Sequence, residues 1–145
     1  MNVNQDLQLA SALRTGITRL VKKLRKESPT GLQLSFTERS TLAALYQHKS
    51  LLPSELAAME MITNQSMSQV LNHLFELGFI TRTASDTDKR KVIISLTPEG
   101  ERTLTRVRNE RDEWLARAIN ETCTPAEQNI LKQALAPLNK LVDFK

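Results

Sequence analysis

The side chains best suited to chemistry in this sequence are amides and hydroxyls that recur at helical spacing between positions 63 and 76. Asparagine and glutamine can donate and accept hydrogen bonds together, as the exposed edge of adenine requires. The pattern therefore favours a helix that reads base edges and hints at an A·T-rich site, although a solvated helix surface would show the same pattern. The polar face consists of Gln65, Ser68, Gln69, Asn72, His73 and Glu76.

The other side of this helix is apolar, and a hairpin follows it. Two short β-favouring runs, 80–84 and 92–96, flank a polar stretch that holds Lys89, Arg90 and Lys91. A helix in the major groove with a basic hairpin tip at the neighbouring minor groove suits recognition of duplex DNA. A plain polar loop is the alternative interpretation of the tip. The apolar side is formed by Met67, Val70, Leu71, Leu74 and Gly78.

Three groups of residues in this region carry a family resemblance. They are Ser68, Leu74, Gly78, Phe79, Ile80 and Arg82, then Asp88 and Arg90, then the run Leu-Thr-Pro-Glu-Gly at 96–100. Through them the chain resembles the winged helix-turn-helix of the MarR family of bacterial transcription regulators. The resemblance implies that Arg90 enters the minor groove and that Asp88 orients it. It also implies a mainly α fold with about six helices and a two-stranded β wing.

Capping residues predict where the helices begin and end. Ser35 and Glu38 have the spacing of a capping box, and the helix they start should end near His48. A long helix should run from the Thr-Pro-Glu sequence at 97–99 to about Thr122. Pro137 predicts a kink in the final helix, since its ring displaces a backbone carbonyl. Further helix starts are predicted at Pro53, Thr63 and Thr124.

Apolar stripes occur at both ends of the chain, on a helix over about 6–26 and on the final helix. One copy of the small central unit could not cover both, so we expect a homodimer, as the resemblance also implies. We expect a single domain over 1–145, with a DNA-binding winged helix at about 34–100 and dimerisation helices at 1–30 and 101–145. The expected dimerisation residues are Leu13, Ile17, Leu20, Leu131, Leu135, Leu138 and Val142.

Composition limits the class of protein. The 145 residues carry a net charge of +4, which favours a polyanionic partner only weakly. No Lys or Arg occurs between Ser50 and Thr81, so the proposed DNA-reading helix is not itself basic. Six basic residues lie within 14–26, where a solvated helix face or contact with phosphates would explain them. No secretory signal or membrane-spanning run is evident, so we expect a soluble, cytoplasmic protein.

Catalysis and metal binding find little support in the sequence. His48 and His73 are the only histidines, and neither has a metal-ligand spacing or an evident nucleophile nearby. Cys123 cannot form a disulfide within the chain, and it lies far from the chain start, where the peroxide-sensing members of the family keep their reactive cysteine. We therefore expect no enzyme, no cofactor and no metal, with Cys123 structural or incidental.

The resulting hypothesis is a DNA-binding transcriptional regulator, most often a repressor in this family, on a near-palindromic operator. The resemblance implies possible release by a small aromatic ligand. The alternative is a winged-helix protein–protein interaction module without DNA binding. An RNA binder is disfavoured, because interleaved aromatic residues are lacking. The candidate DNA-binding residues are Ser35, Thr63, Asn64, Gln65, Ser66, Ser68, Gln69, Asn72, His73, Arg82, Asp88, Lys89, Arg90 and Lys91.

Overall fold

The computed structural model describes residues 2–145, which form six α-helices, a short 3-10 helix and a small antiparallel sheet. The helices are α1 (Val3–Lys26), α2 (Phe36–His48), α3 (Pro53–Met59), α4 (Asn64–Glu76), α5 (Pro98–Thr122) and α6 (Pro125–Val142), with the 3-10 helix at Gly31–Gln33. The strands are β1 (Ser50–Leu51), β2 (Ile80–Ala84) and β3 (Val92–Leu96). The predicted mainly α class with six helices and a β wing is confirmed.

The sheet differs from the prediction in having a third strand. Its order is β1-β3-β2, with Ser50 opposite Ser95 and Leu51 opposite Ile94. The expected two-stranded wing is therefore incomplete, although β2 and β3 have the predicted bounds. A strand of two residues is too short to show the alternation by which strands are found in sequence. It ties the segment before α3 to the base of the wing.

The predicted helix starts are confirmed by their hydrogen bonds. Ser35 and Thr124 each form a complete capping box, while Thr63 and Thr97 accept from backbone N–H groups of the first turn. Pro137 lies inside α6, which continues through it. The kink at that position stays a prediction.

The core lies where α2, α3, α4, the sheet and the first half of α5 meet. On α4 the predicted apolar side is confirmed, since Met67, Leu71 and Leu74 are all buried. Gly78 does not belong to that side: it is exposed, follows the end of α4 and has φ +79°. This left-handed conformation suits glycine and ends the helix. Met61, in the turn between α3 and α4, has φ +54° without being glycine.

The start of α5 is fixed against the end of α4. The backbone N–H of Thr97 donates to the carbonyl of Phe79 over 3.0 Å, and its hydroxyl donates to the carbonyl of Gly78 over 2.6 Å. A Cβ atom at Gly100 would lie 2.1 Å from that Phe79 oxygen, so only glycine fits there. The Leu-Thr-Pro-Glu-Gly sequence is thus a joint between the helix that carries the polar face and the long helix α5.

The terminal helices differ from the central unit in burial. Neither α1 nor α6 contributes a buried residue, although both carry apolar stripes. The link from α1 to α2 is held to α5 by Glu110, whose carboxylate accepts from the Ser28 hydroxyl over 2.9 Å and from the Thr30 N–H over 3.1 Å. Within residues 2–145, none of the helices combines the length and the apolar character that crossing a membrane requires.

Candidate nucleic-acid interface

The polar face of α4 is exposed along its length. Thr63 caps the helix by accepting from the Ser66 N–H over 3.0 Å, and the Ser68 hydroxyl donates to the Asn64 carbonyl over 3.0 Å. The amide groups of Gln65 and Gln69 make no hydrogen bond within the part of the chain that the structure describes. They are therefore available to an external partner. Asn64, Gln65, Ser66, Ser68 and Gln69 are all exposed.

Ser35 lies at the start of α2 rather than on α4. Its side chain accepts from the Glu38 N–H over 3.0 Å, and the Glu38 carboxylate accepts from the Ser35 N–H over 2.8 Å. The residue is exposed, so a phosphate could still approach this helix end. Its cap role alone accounts for the serine at this position.

His73 is 47% exposed on the polar face of α4, and its ring also reaches α2. Its Nδ1 atom forms an ion pair with Glu38, whose side chain is only 8% exposed. Burial would raise the pKa of Glu38, but hydrogen bonds from the Ser35 backbone, the His73 ring and the Ser35 side chain outweigh it and lower the pKa. The hydrogen bond and the charge of Glu38 in turn raise the pKa of His73. The ion pair therefore favours a cationic His73 on α4.

Arg82 brings a second cation to α4, from strand β2. Its Nη2 atom donates to Asn72 Oδ1 over 2.5 Å, and its Cζ atom lies 4.9 Å from the centroid of the Phe75 ring. A cation–π contact of this kind attracts a guanidinium to the face of an aromatic ring. The sequence prediction named Arg82 and Asn72 but missed Phe75, although it lies three residues after Asn72 on the same helix face.

The wing tip is organised by Ser85, which the sequence prediction treated only as part of a polar loop. Its hydroxyl oxygen accepts from the Thr87 N–H over 3.3 Å and from the Asp88 N–H over 3.4 Å. The Ser85 N–H donates to the Lys91 carbonyl over 2.9 Å, and Ser85 itself is buried. A serine that bonds to backbone two and three residues later is a recognisable turn signal.

Asp88 and Arg90 form a contact within this turn. Asp88 Oδ1 accepts from the backbone N–H of Arg90 over 3.1 Å and from its Nε atom over 3.2 Å. The Arg90 side chain is 91% exposed, whereas Asp88 is 30% exposed. The carboxylate thus holds the near end of the guanidinium and leaves the terminal nitrogens outside this contact. Lys89 and Lys91 are also exposed.

The apolar residues expected at a dimer interface lie on the surface of the single chain. Leu13, Ile17 and Leu20 form an exposed stripe on α1. On α6, Leu131, Leu135 and Val142 are exposed, and Leu138 is half-buried.

An arginine-lined cavity of about 240 Å³ lies between α1, α2 and α5. Arg39 is 7% exposed, and its Nε and Nη1 atoms are buried without a hydrogen-bond partner in residues 2–145. Burial, followed by the charges of Arg111 and Arg25, lowers the pKa of Arg39. A buried guanidinium without a carboxylate is costly, and this feature was not evident in the sequence.

Comparison with known proteins identifies the class of this fold. A crystal structure of a transcriptional regulator from Pseudomonas aeruginosa is 34% identical, with a TM-score of 0.87 over 99% of this chain and 100% of that one. A mutant of MepR from S. aureus, bound to an oligodeoxyribonucleotide, is 20% identical, with a TM-score of 0.70 over 92% of this chain and 97% of that one. The fold is that of winged helix-turn-helix DNA-binding regulators.

The sequence comparisons define the family. An uncharacterized HTH-type transcriptional regulator of Mycobacterium bovis is 31% identical over 141 residues, covering 97% of each chain. The profile described as MarR family matches residues 34–92. The chain belongs to the MarR family, whose matched relatives are transcriptional regulators rather than enzymes.

The ion pair between His73 and Glu38 predicts a pH-dependent contribution to stability. Because the folded state raises the pKa of His73, the contribution is full below about pH 6.5 and is lost as the pH rises through the raised value. It also falls under more acidic conditions, as Glu38 becomes protonated. Denaturant unfolding should therefore show the largest deficit of His73→Gln near pH 6 and little deficit near pH 9. His48→Gln, which breaks no ion pair within residues 2–145, is the control, and an equal deficit at both pH values would contradict the prediction.

The contact of Asp88 with Arg90 predicts that removing a negative charge from the wing weakens DNA binding. Arg90→Ala should cost about 1–3 kcal/mol, and Asp88→Ala should reproduce much of this loss because it releases the guanidinium. Lys89→Ala should weaken binding to all DNA sequences alike and lower the slope of log affinity against log salt concentration by about one unit. Titration of one operator duplex measures all three variants. Tighter binding by Asp88→Ala would show that the wing acts only as a basic loop.

Proposed function

We propose that this protein is a cytoplasmic transcriptional repressor that binds a near-palindromic operator as a homodimer and is released by a small anionic ligand. The observation that carries the DNA-binding part is the combination of two features in one folded unit. One is the exposed amide face of α4, and the other is an arginine held at the wing tip by an acid two residues away. A partner with both a wide groove and an adjacent narrow groove suits both features.

In the proposed complex, α4 lies in the major groove and the wing lies over the next minor groove. Gln65 and Gln69 contact base edges, since their amides are exposed and unengaged. Arg90 enters the minor groove, where a narrow A·T-rich segment concentrates negative potential. Asp88 orients Arg90, and Asn72 and Arg82 lie together on the face of α4 that enters the groove. The other candidates position the protein on phosphates. These are Ser35, Thr63, Asn64, Ser66, Ser68, His73, Lys89 and Lys91.

The homodimer is supported by the exposed stripes on α1 and α6. Leaving apolar side chains of this size in water forfeits about 25 cal/mol for each Å² that a partner could cover. We propose that a second copy covers them and that residues 1–30 and 101–145 form the dimerisation region around the winged helix of about 34–100. A two-fold axis would then place two copies of α4 on half-sites about 34–36 Å apart along the duplex.

The ligand is proposed from the arginine-lined cavity. A carboxylate or phenolate in the cavity would pair with the guanidinium of Arg39, while Phe36 and Val21 provide apolar wall. The cavity touches α1 of the proposed dimerisation region and α2 of the DNA-binding unit, so an occupant could change the angle between them. Small aromatic carboxylates fit this combination of charge and apolar surface.

Selection from random duplexes tests the proposal. The parent protein should enrich sites with two-fold symmetry, because each half-site is read by one copy of α4. Leu13→Glu places a charge in the proposed dimer interface, costs about 3–5 kcal/mol there and should abolish symmetric enrichment. Leu32→Glu adds the same charge at an exposed leucine outside the stripes and should enrich as the parent does.

Failure of this selection has distinct meanings. Enrichment of asymmetric single half-sites by the parent would contradict the dimer but keep DNA binding. Absence of binding to any duplex at low salt would favour the alternative, a winged-helix protein–protein interaction module.

The cavity predicts an unusual response to removing its charge. Arg39→Met should raise the melting temperature, because it replaces a buried unpaired cation with an apolar side chain of similar length. Millimolar benzoate should stabilise the parent and weaken its operator binding, but it should do neither in Arg39→Met. Arg106→Met, which removes an exposed cation from α5, is the control. A full benzoate response in Arg39→Met would exclude the cavity as the binding site.

A further inference from the structure

The contact between Arg82 and Asn72 bears on which base α4 selects. Arg82 lies on β2 opposite Ile94, yet its guanidinium reaches back over the Phe75 ring of α4, 4.9 Å from the centroid. From there its Nη2 atom donates to Asn72 Oδ1 over 2.5 Å. No carboxylate within residues 2–145 forms a salt bridge with Arg82. Among the same residues, Asn72 on the exposed face is the only side chain to which Arg82 donates a hydrogen bond.

The chemistry of arginine fixes the orientation of the Asn72 amide. A guanidinium has five N–H donors and no acceptor, so its partner atom on an asparagine must be the oxygen. The bond from Arg82 uses one of the two lone pairs of Oδ1, whereas both N–H donors of the Asn72 NH₂ group remain unengaged within residues 2–145. An asparagine without such a neighbour could present either end to a base, because rotation about its terminal bond is broad.

Adenine and guanine differ in whether their major-groove edges suit a free asparagine amide or one whose oxygen is bound by arginine. A bidentate contact with adenine uses the asparagine oxygen to accept from N6 and the nitrogen to donate to N7. Guanine presents two acceptors, N7 and O6, in the same positions. An amide whose oxygen is already engaged matches guanine better than adenine. This reverses the adenine preference that residue type alone suggests for Asn72.

We propose that Arg82 is a positioning residue that locks Asn72 as a hydrogen-bond donor and thereby makes guanine the preferred base at the pair that Asn72 contacts. The inference rests on the proposed function, in which α4 enters the major groove. Phe75 takes part by attracting the guanidinium to the face of its ring. Lysine could not replace Arg82, because a compact ammonium lacks the planar group that stacks on the ring and reaches the oxygen together.

The test is a binding scan in which every position of the selected operator carries each of the four bases in turn. The variant Asn72→Ala first identifies the base pair that Asn72 reads. This is the one operator position at which the variant binds all four bases about equally. The parent should prefer guanine there. Arg82→Met should shift the ratio of guanine to adenine affinity at that position towards adenine by about tenfold, since the freed oxygen can accept from N6. Phe75→Leu, at a half-exposed site, should shift the ratio in the same direction by a smaller factor.

Lys89→Met is the matched control, because it removes one exposed cation from the wing without touching Asn72. It should weaken all operator variants equally and leave every base preference unchanged.

Each outcome decides the matter. A preference for adenine in the parent at the Asn72 position, or an unchanged ratio in Arg82→Met, overturns the positioning role while DNA binding stands. If Asn72→Ala keeps the base preferences of the parent at every position, Asn72 reads no base, and the positioning role is overturned as well. Absence of binding to any duplex by the parent overturns the proposed function and this inference together. A shift confined to the Asn72 position supports it and separates positioning from a general loss of charge.

Discussion

The apolar side of α4 is packed against α2, α3 and the sheet, where Met67 and Leu74 are fully buried and Leu71 is 3% exposed. Burial of side chains of this size contributes about 1.5–3 kcal/mol each. Three such residues on one face fix the rotation of α4 about its axis, so its amides can only point outwards. The joint formed by Thr97 and Gly100 then fixes where the wing and α5 leave the end of α4. Every candidate DNA contact on α4 depends on this rotation.

The positive charge at the surface of α4, which complements DNA, is supplied or favoured by residues of neighbouring elements. The helix contains no lysine or arginine, yet Arg82 of β2 lies on its surface and Glu38 of α2 favours a cationic His73. Charge supplied in this way is tied to tertiary contacts rather than to flexible side chains of the helix itself. A cation held in place loses less conformational freedom on binding than a free lysine side chain would. It also leaves the amides of Gln65 and Gln69 without competing charges beside them.

Two features of the single chain are energetically unfavourable unless a partner binds. The stripes on α1 and α6 leave leucines in water, and Arg39 buries a guanidinium whose Nε and Nη1 atoms lack an acceptor within residues 2–145. The cost of each is reduced by a partner of defined chemistry, apolar in the first case and anionic in the second. Both features touch α1, which makes that helix the physical connection between the proposed dimer and the proposed ligand cavity.

The amino-acid sequence by itself determined the helices, their caps and the hairpin, because capping boxes, Pro in first turns and apolar periodicity are local signals. The bounds of β2 and β3 and the caps at Ser35, Thr63, Thr97 and Thr124 followed from them. Only the tertiary structure decided what the polar side chains do. Glu38 has the spacing of a cap residue but also binds His73, Asn72 belongs to the predicted polar face but accepts from Arg82, and the burial of Arg39 had no sequence signal. The strand β1 was missed because two residues carry no period. For Glu38, Asn72 and β1 the partner lies ten or more positions away in the chain, and Arg39 is buried by distant helices, so the local pattern contains no information about these contacts.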